Sequence, residues 1–291
     1  MSKTTAQHHR SGPLRRRPSP TAHAAIRLAW LFALATVGTP LGAQQNASRP
    51  LPTVTVTAKG NSDPVEKSYR KIVRGMDLFE KEHGLAPAAS LRFKLLARRR
   101  DTDLDNIMMD VIGSKKTFPV TIAPDRTFTL ERNRQAYDED AQVTPDRRER
   151  SMTWRAEIRT PGLPPGMRRL GDLRLECRVG MESGLVSESV TLAGRIVTAL
   201  MDTPAYCERF APQYLFFTDR PLFNVTLVSR DRRESLSIGR LYGGAIEEPE
   251  NEDRSSCDCE LLVDRTYFMP LGDRSWPDDT LVEFDYMDDA P

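Results

Sequence analysis

The sequence predicts a mainly β fold: one or two β-sandwich modules preceded by an amphipathic helix. Three observations support this. Roughly ten short runs alternate apolar and polar residues between proline- or glycine-bearing turns. A single segment near the N-terminus carries a clear helical apolar stripe. Strands and helices do not alternate in the sustained way a doubly wound α/β fold requires. Hydrophobic residues make up 39% of the 291-residue chain, too many for a wholly disordered chain and too dispersed for a polytopic membrane protein.

The first 43 residues form a separate functional unit. Lys3, Arg10, Arg15, Arg16, Arg17 and Arg27 are the only charged side chains there, and an uncharged apolar run over 28–37 follows them. Gly38, Pro40 and Ala43 then break the helix and offer a small residue for cleavage. This is the order of a secretory signal peptide. It predicts export across a bacterial inner membrane into the periplasm, with a mature chain starting near Gln44. The apolar run is shorter than the ~18–20 residues of a spanning helix, so no membrane span is expected after cleavage. The formal charge of +1 changes sign with that cut: removing six basic residues leaves 36 against 41 acidic ones.

Residues 44–62 read as a flexible linker around an alternating β-branched run over 51–58. Thr53, Val54, Thr55, Val56 and Thr57 give it a threonine–valine alternation just after the signal peptide. The segment resembles the TonB box of outer-membrane receptors. That resemblance implies an envelope protein as partner, engaged by adding a strand to its sheet edge. The alternative is a plain linker or first strand.

A helix is expected over 63–84. Asp63 can cap it, Pro64 suits its first position, and Glu66 completes a capping box. Tyr69, Ile72, Val73, Met76 and Phe79 form the stripe, and Gly84 is a natural stop. A β-sandwich module is expected over 85–160. Leu91, Phe93 and Leu95 alternate, as do Val120 with Ile122 and Phe128 with Leu130 across a turn at 123–126. The 118–130 segment is similar to the strand–turn–strand of carboxypeptidase-regulatory and transthyretin-like β-sandwiches, which have glycine where this chain has Arg126. Residues 133–150 are highly charged and read as a solvated loop, before Trp154, Ala156 and Ile158 alternate again.

A second β-rich module is expected over 161–291, either separate or continuous with the first. Leu173, Leu175, Cys177 and Val179 alternate with Arg174, Glu176 and Arg178 as in a half-buried strand. Residues 189–201 read as a short helix. Strands follow over 214–217, 222–228, 235–238, 260–263 and 280–287. Charged runs at 98–100, 147–148 and 230–233 are interleaved with acids and read as solvated turns. With export, they predict no nucleic-acid partner.

The chain carries no nucleotide-binding loop or nucleophile elbow, so no cofactor is predicted. Of His8, His9, His23 and His83, only His83 survives signal cleavage, which leaves no histidine cluster for a metal or a triad. The even cysteine count suits an oxidising compartment. Cys177 is expected to pair with Cys207. Cys257 and Cys259 stand one residue apart, consistent with a strained redox-active bridge, a soft-metal site, or structural bridges including crossed pairing with Cys177 and Cys207. Trp276 sits in a loop where it could stack on a sugar, or close the edge of a core. Asp172, Glu176, Asp273, Asp278 and Asp279 lie near strands or turns, where a glycosidase pair could form. The resulting expectation is a non-enzymatic periplasmic binding or scaffolding protein. The alternatives are a thiol-redox or metal-handling protein using Cys257 and Cys259, and a carbohydrate-binding module or hydrolase.

Overall fold

The apolar stripe folds as α1, Tyr69–Lys81, and buries Tyr69, Ile72, Val73 and Gly75. Its cap is Ser68, whose hydroxyl accepts from the Lys71 N–H. The helix therefore starts later than the capping pattern predicts. Lys67–Ser68 form a short strand, β1, whose backbone is committed to pairing with Val143 and Gln142. The expected stop at Gly84 falls within a 3₁₀ turn, His83–Leu85. There His83 Nε2 donates to the Ala89 carbonyl (2.9 Å) and the ring packs on Phe79.

The computed structural model describes residues 66–98, 100–147, 151–185, 203–209, 214–242 and 262–287, all within one compact unit, Ala58–Pro291. The signal peptide, the linker with Thr53 to Thr57, the 189–201 segment, Cys257 and Cys259 lie outside them. Among the described residues the fold is mainly β, with thirteen strands in antiparallel sheets and three α-helices.

Two sheets enclose the first core. Strands β2 (Ser90–Ala97), β5 (Thr127–Phe128) and β7 (Met152–Arg159) form one, in the order β5-β2-β7. The β2–β7 register runs unbroken from Ser90 opposite Arg159 to Ala97 opposite Met152. Strands β3 (Met109–Ile112), β4 (Thr117–Val120) and β6 (Gln142–Pro145) join β1 in the other, ordered β1-β6-β3-β4. Phe93, Phe128 and Trp154 meet ring to ring at 5.3–5.7 Å, with Met109, Val111 and Val143 in the same cluster.

The solvated loop expected over 133–150 is instead a short helix, α2 (Arg134–Asp138), followed by β6. Asn133 caps α2 by accepting from Ala136 N–H at 3.0 Å. Ala136, Ala141 and Val143 are buried between the charges; a few small residues at the right spacing outweigh the surrounding polarity. Two of the expected solvated arginines also differ. Arg98 is only 4% exposed, and Arg147 donates to the Asp103 and Asp105 carbonyls.

The 118–130 turn forms as expected, but its arms diverge. The Arg126 N–H donates to the Ala123 carbonyl, and a single bridge joins Ile122 to Phe128. Beyond it β4 pairs with β3 and β5 with β2, so the turn links two sheets. Asp125 accepts from the Thr127 hydroxyl and N–H (2.6 and 3.1 Å), contacts that hold its carboxyl below the usual range. Arg126 has φ +63°, the left-handed region that glycine occupies freely. Relief of that strain exceeds the added flexibility of the unfolded chain and the exposed Arg126–Asp105 pair. Arg126→Gly is expected to stabilise the fold by up to about 1 kcal/mol, raising Tm by about 2–4 °C in thermal denaturation.

The largest departure is α3, Leu170–Glu182, which replaces the strand expected around Cys177. Of the polar residues that alternate with Leu173, Leu175, Cys177 and Val179, only Arg178 is partly exposed, and it pairs with Glu82 and Glu208. Asp172, Arg174 and Glu176 are all buried. A helix enclosed on nearly every side shows little of an exposed polar stripe, so period-two alternation is no guide to it. Leu175 and Val179 enter the first core, whereas Leu170, Leu173, Cys177 and Met181 enter a second. α1 crosses close to it at Gly75, where a Cβ would meet Ser183 Oγ at 1.8 Å.

The second core lies under β8 (Met167–Arg169), β10 (Leu222–Ser229), β11 (Arg232–Ser235) and β13 (Leu281–Tyr286), ordered β11-β10-β13-β8. A two-stranded sheet pairs β9 (Leu215–Phe217) with β12 (Thr266–Phe268). The strand expected at 235–238 lies earlier, at β11. Its four residues are all exposed, a charged sheet edge that discourages further pairing. In the described part of 260–263, Leu262 precedes a 3₁₀ turn, Val263–Arg265, and the strand begins only at Thr266.

Candidate functional site

The end of β8 runs directly into α3, which brings Arg168 back against Glu176 two turns along the helix. Arg168 Nη2 contacts Glu176 Oε2 at 2.6 Å and the Ile158 carbonyl at 2.7 Å. The Ile158 N–H donates to the same carboxylate at 2.9 Å. One turn earlier, Asp172 accepts from the Thr160 N–H and hydroxyl, both at 2.8 Å. The face of α3 carrying residues 172 and 176 thus holds the end of β7. Burial alone would lower the Arg168 pKa, but the Glu176 charge outweighs it, so the guanidinium stays charged. Burial pushes the Glu176 carboxyl above its ordinary value against the pull of Arg168.

Arg174 uses another face of α3. It donates to the Leu271, Asp273 and Trp276 carbonyls (2.8–3.0 Å) and to Asp278 Oδ1 at 2.5 Å. The 271–278 loop is therefore wrapped around one buried cation. Trp276, in that loop, is 2% exposed, and the Arg232 guanidinium lies 3.6 Å from its ring centre. The ring has intramolecular neighbours where sugar stacking would need an open face, so the structure places it in the core. Four of the five carboxylates considered for a glycosidase pair are likewise engaged: Asp172 by Thr160, Glu176 by Arg168, Asp273 by Ser275 and Asp278 by Arg174; the fifth, Asp279, is exposed. Asp273 is held below its usual range by the Ser275 hydrogen bonds.

Cys177 and Cys207 are disulfide-bonded, with Cα atoms 6.0 Å apart. Cys177 sits on α3 rather than on a strand, and Cys207 on a 3₁₀ turn, Pro204–Glu208. Among the described residues no cluster of three or more metal-ligating side chains occurs, and no helix is long and apolar enough to cross a membrane.

A cleft opens where β2 and β7 face β9, β12 and β13. One void of about 70 Å³ is lined by Lys94, Glu157, Arg159, Arg168, Phe217 and Tyr267, among others. An adjoining void of about 30 Å³ reaches Arg155, Glu176 and Tyr214. Lys94 Nζ spans the cleft edge, donating to the Asp125 carbonyl at 2.9 Å and Asp219 Oδ2 at 3.1 Å. Tyr267 is fully buried, and among the described residues its hydroxyl has no hydrogen-bond partner, nor has Arg168 Nε. Burial holds the Tyr267 pKa above its ordinary value, opposed by Arg168, so the phenol remains a proton donor.

A larger depression, about 180 Å³, lies beside β4 among Tyr69, Val111, Phe118 and Leu130. Its buried hydroxyl is engaged: Tyr69 donates to the Glu131 carbonyl and accepts from the Asn133 N–H. The cleft is the better candidate because it retains unengaged donors. Sequence reasoning did not single out Arg168, Tyr267 or Lys94 as site residues. The available signal was charged residues set singly between leucines over 172–176, a pattern of buried pairing. No known protein family, curated protein or solved structure matches the chain.

Proposed function

We propose that the protein is an exported, non-enzymatic binding component of the bacterial cell envelope, and that the cleft between β2–β7 and β9–β12–β13 is its ligand site. One observation carries the reading. The cleft joins aromatic walls to unengaged hydrogen-bond donors, while its buried carboxylate, Glu176, is fully occupied by Arg168 and the Ile158 N–H. Such a site can orient a ligand but has no buried carboxylate free to move a proton. The Cys177–Cys207 bridge supports an oxidising compartment. The N-terminal basic and apolar segments supply the route to it.

The test follows the protein from synthesis to ligand. Expressed with its own N-terminus, it should be released by osmotic shock. Titration of the labelled protein with envelope-derived small molecules should shift resonances of cleft residues. Leu96 lines both voids, so Leu96→Trp fills the site and should abolish those shifts. Retention in the cytosol would overturn the envelope assignment. Shifts that persist in the filled variant would overturn the site.

A further inference from the structure

We propose that the cleft takes a single carboxylate group of a small ligand, gripped by the Tyr267 hydroxyl and the Arg168 Nε–H. The proposal rests on the binding reading above and names the chemistry of its ligand.

Tyr267 and Arg168 are 0% and 5% exposed, and each presents an N–H or O–H donor with no acceptor. Leaving a buried donor unsatisfied is unfavourable, and two such donors lining one void call for a shared acceptor. The other nitrogens of Arg168 are occupied: Nη1 and Nη2 face Glu176, and Nη2 also donates to the Ile158 carbonyl. Only Nε remains, so its direction is set by the buried pair rather than by the ligand. A guanidinium fixed in this way is pre-organised, and little side-chain freedom is lost when an oxygen arrives.

Charge selects the acceptor. Around the two voids, Lys94, Arg155, Arg159 and Arg168 outnumber Glu157, Glu176 and Asp219 by one. One excess positive charge suits a monoanion better than a doubly charged phosphate. A void of about 70 Å³ admits a carboxylate with a short tail. Phe217 and Phe284, on the same wall, offer that tail an apolar surface. The competing occupant is a small cluster of ordered water, for which the void is large enough.

The experiment reads the Arg168 Nε–H resonance of the full chain directly while acetate, butyrate, inorganic phosphate or neutral acetamide is added. Acetate and butyrate should shift it saturably, butyrate more tightly, with phosphate weaker and acetamide inert. Tyr267→Phe removes one unpaired hydroxyl and nothing else, so the fold should persist by circular dichroism. It should weaken carboxylate binding about tenfold, as expected for a lost bond to a charged group. Equal affinity in that variant, or phosphate binding above acetate, would overturn the proposal. If neutral molecules shift cleft resonances and carboxylates do not, the carboxylate assignment fails while the binding reading stands. If no compound shifts them, both fail and the cleft holds water only.

Discussion

Glu176→Ala is expected to lower the unfolding free energy by about 3–5 kcal/mol, measured by equilibrium urea denaturation. The pair it breaks has side chains only 5% and 9% exposed, so the remaining Arg168 cation would be neither neutralised nor hydrated. The Ile158 N–H would lose its acceptor at the same time. The effect follows from what is left behind, not from a large intrinsic strength of the pair. Removing both charges with Arg168→Met and Glu176→Leu should therefore recover most of the loss. A double variant as unstable as Glu176→Ala would show that shape or the Ile158 bonds, rather than the stranded charge, sets the cost.

Replacing Cys177 and Cys207 together by alanine should cost about 3–4 kcal/mol, since the bridge closes a separation of 30 residues. Both residues are buried, so packing adds to the loop-closure contribution. Comparing urea midpoints of the oxidised protein and the double variant reads the difference. Equal midpoints would mean that the unfolded chain is not restrained by this bond.

Two of the strands that the sequence revealed have one buried and one wetter face. In β2, Phe93 and Leu95 are buried while Lys94 between them is partly exposed. In β13, Val282 and Phe284 are buried while Asp285 is exposed. The stripe of α1 was legible for the same reason, as water on one side gives the pattern its contrast. α3 lacks that contrast. Asp172, Arg174 and Glu176 lie inside, held by partners 8 to 104 residues away along the chain, and the partner of Arg174 lies far outside any local window. The cysteine pairing of 177 with 207 was legible, yet the element bearing Cys177 was not. The cleft was the least legible part. Arg168 matters because Glu176 fixes its orientation, and Tyr267 because nothing bonds to it; both are relations in space.

The position of α3 bears on how the molecule can come apart. Leu175 and Val179 belong to one core, and Leu173 and Cys177, on the same helix, to the other. Severing the chain near residue 160, between the stretches that read as successive modules, would leave the first core without a wall. The two cores are coupled through a common boundary, so the loss of either exposes apolar surface of the other. The sequence is divisible there, but its stability is held jointly.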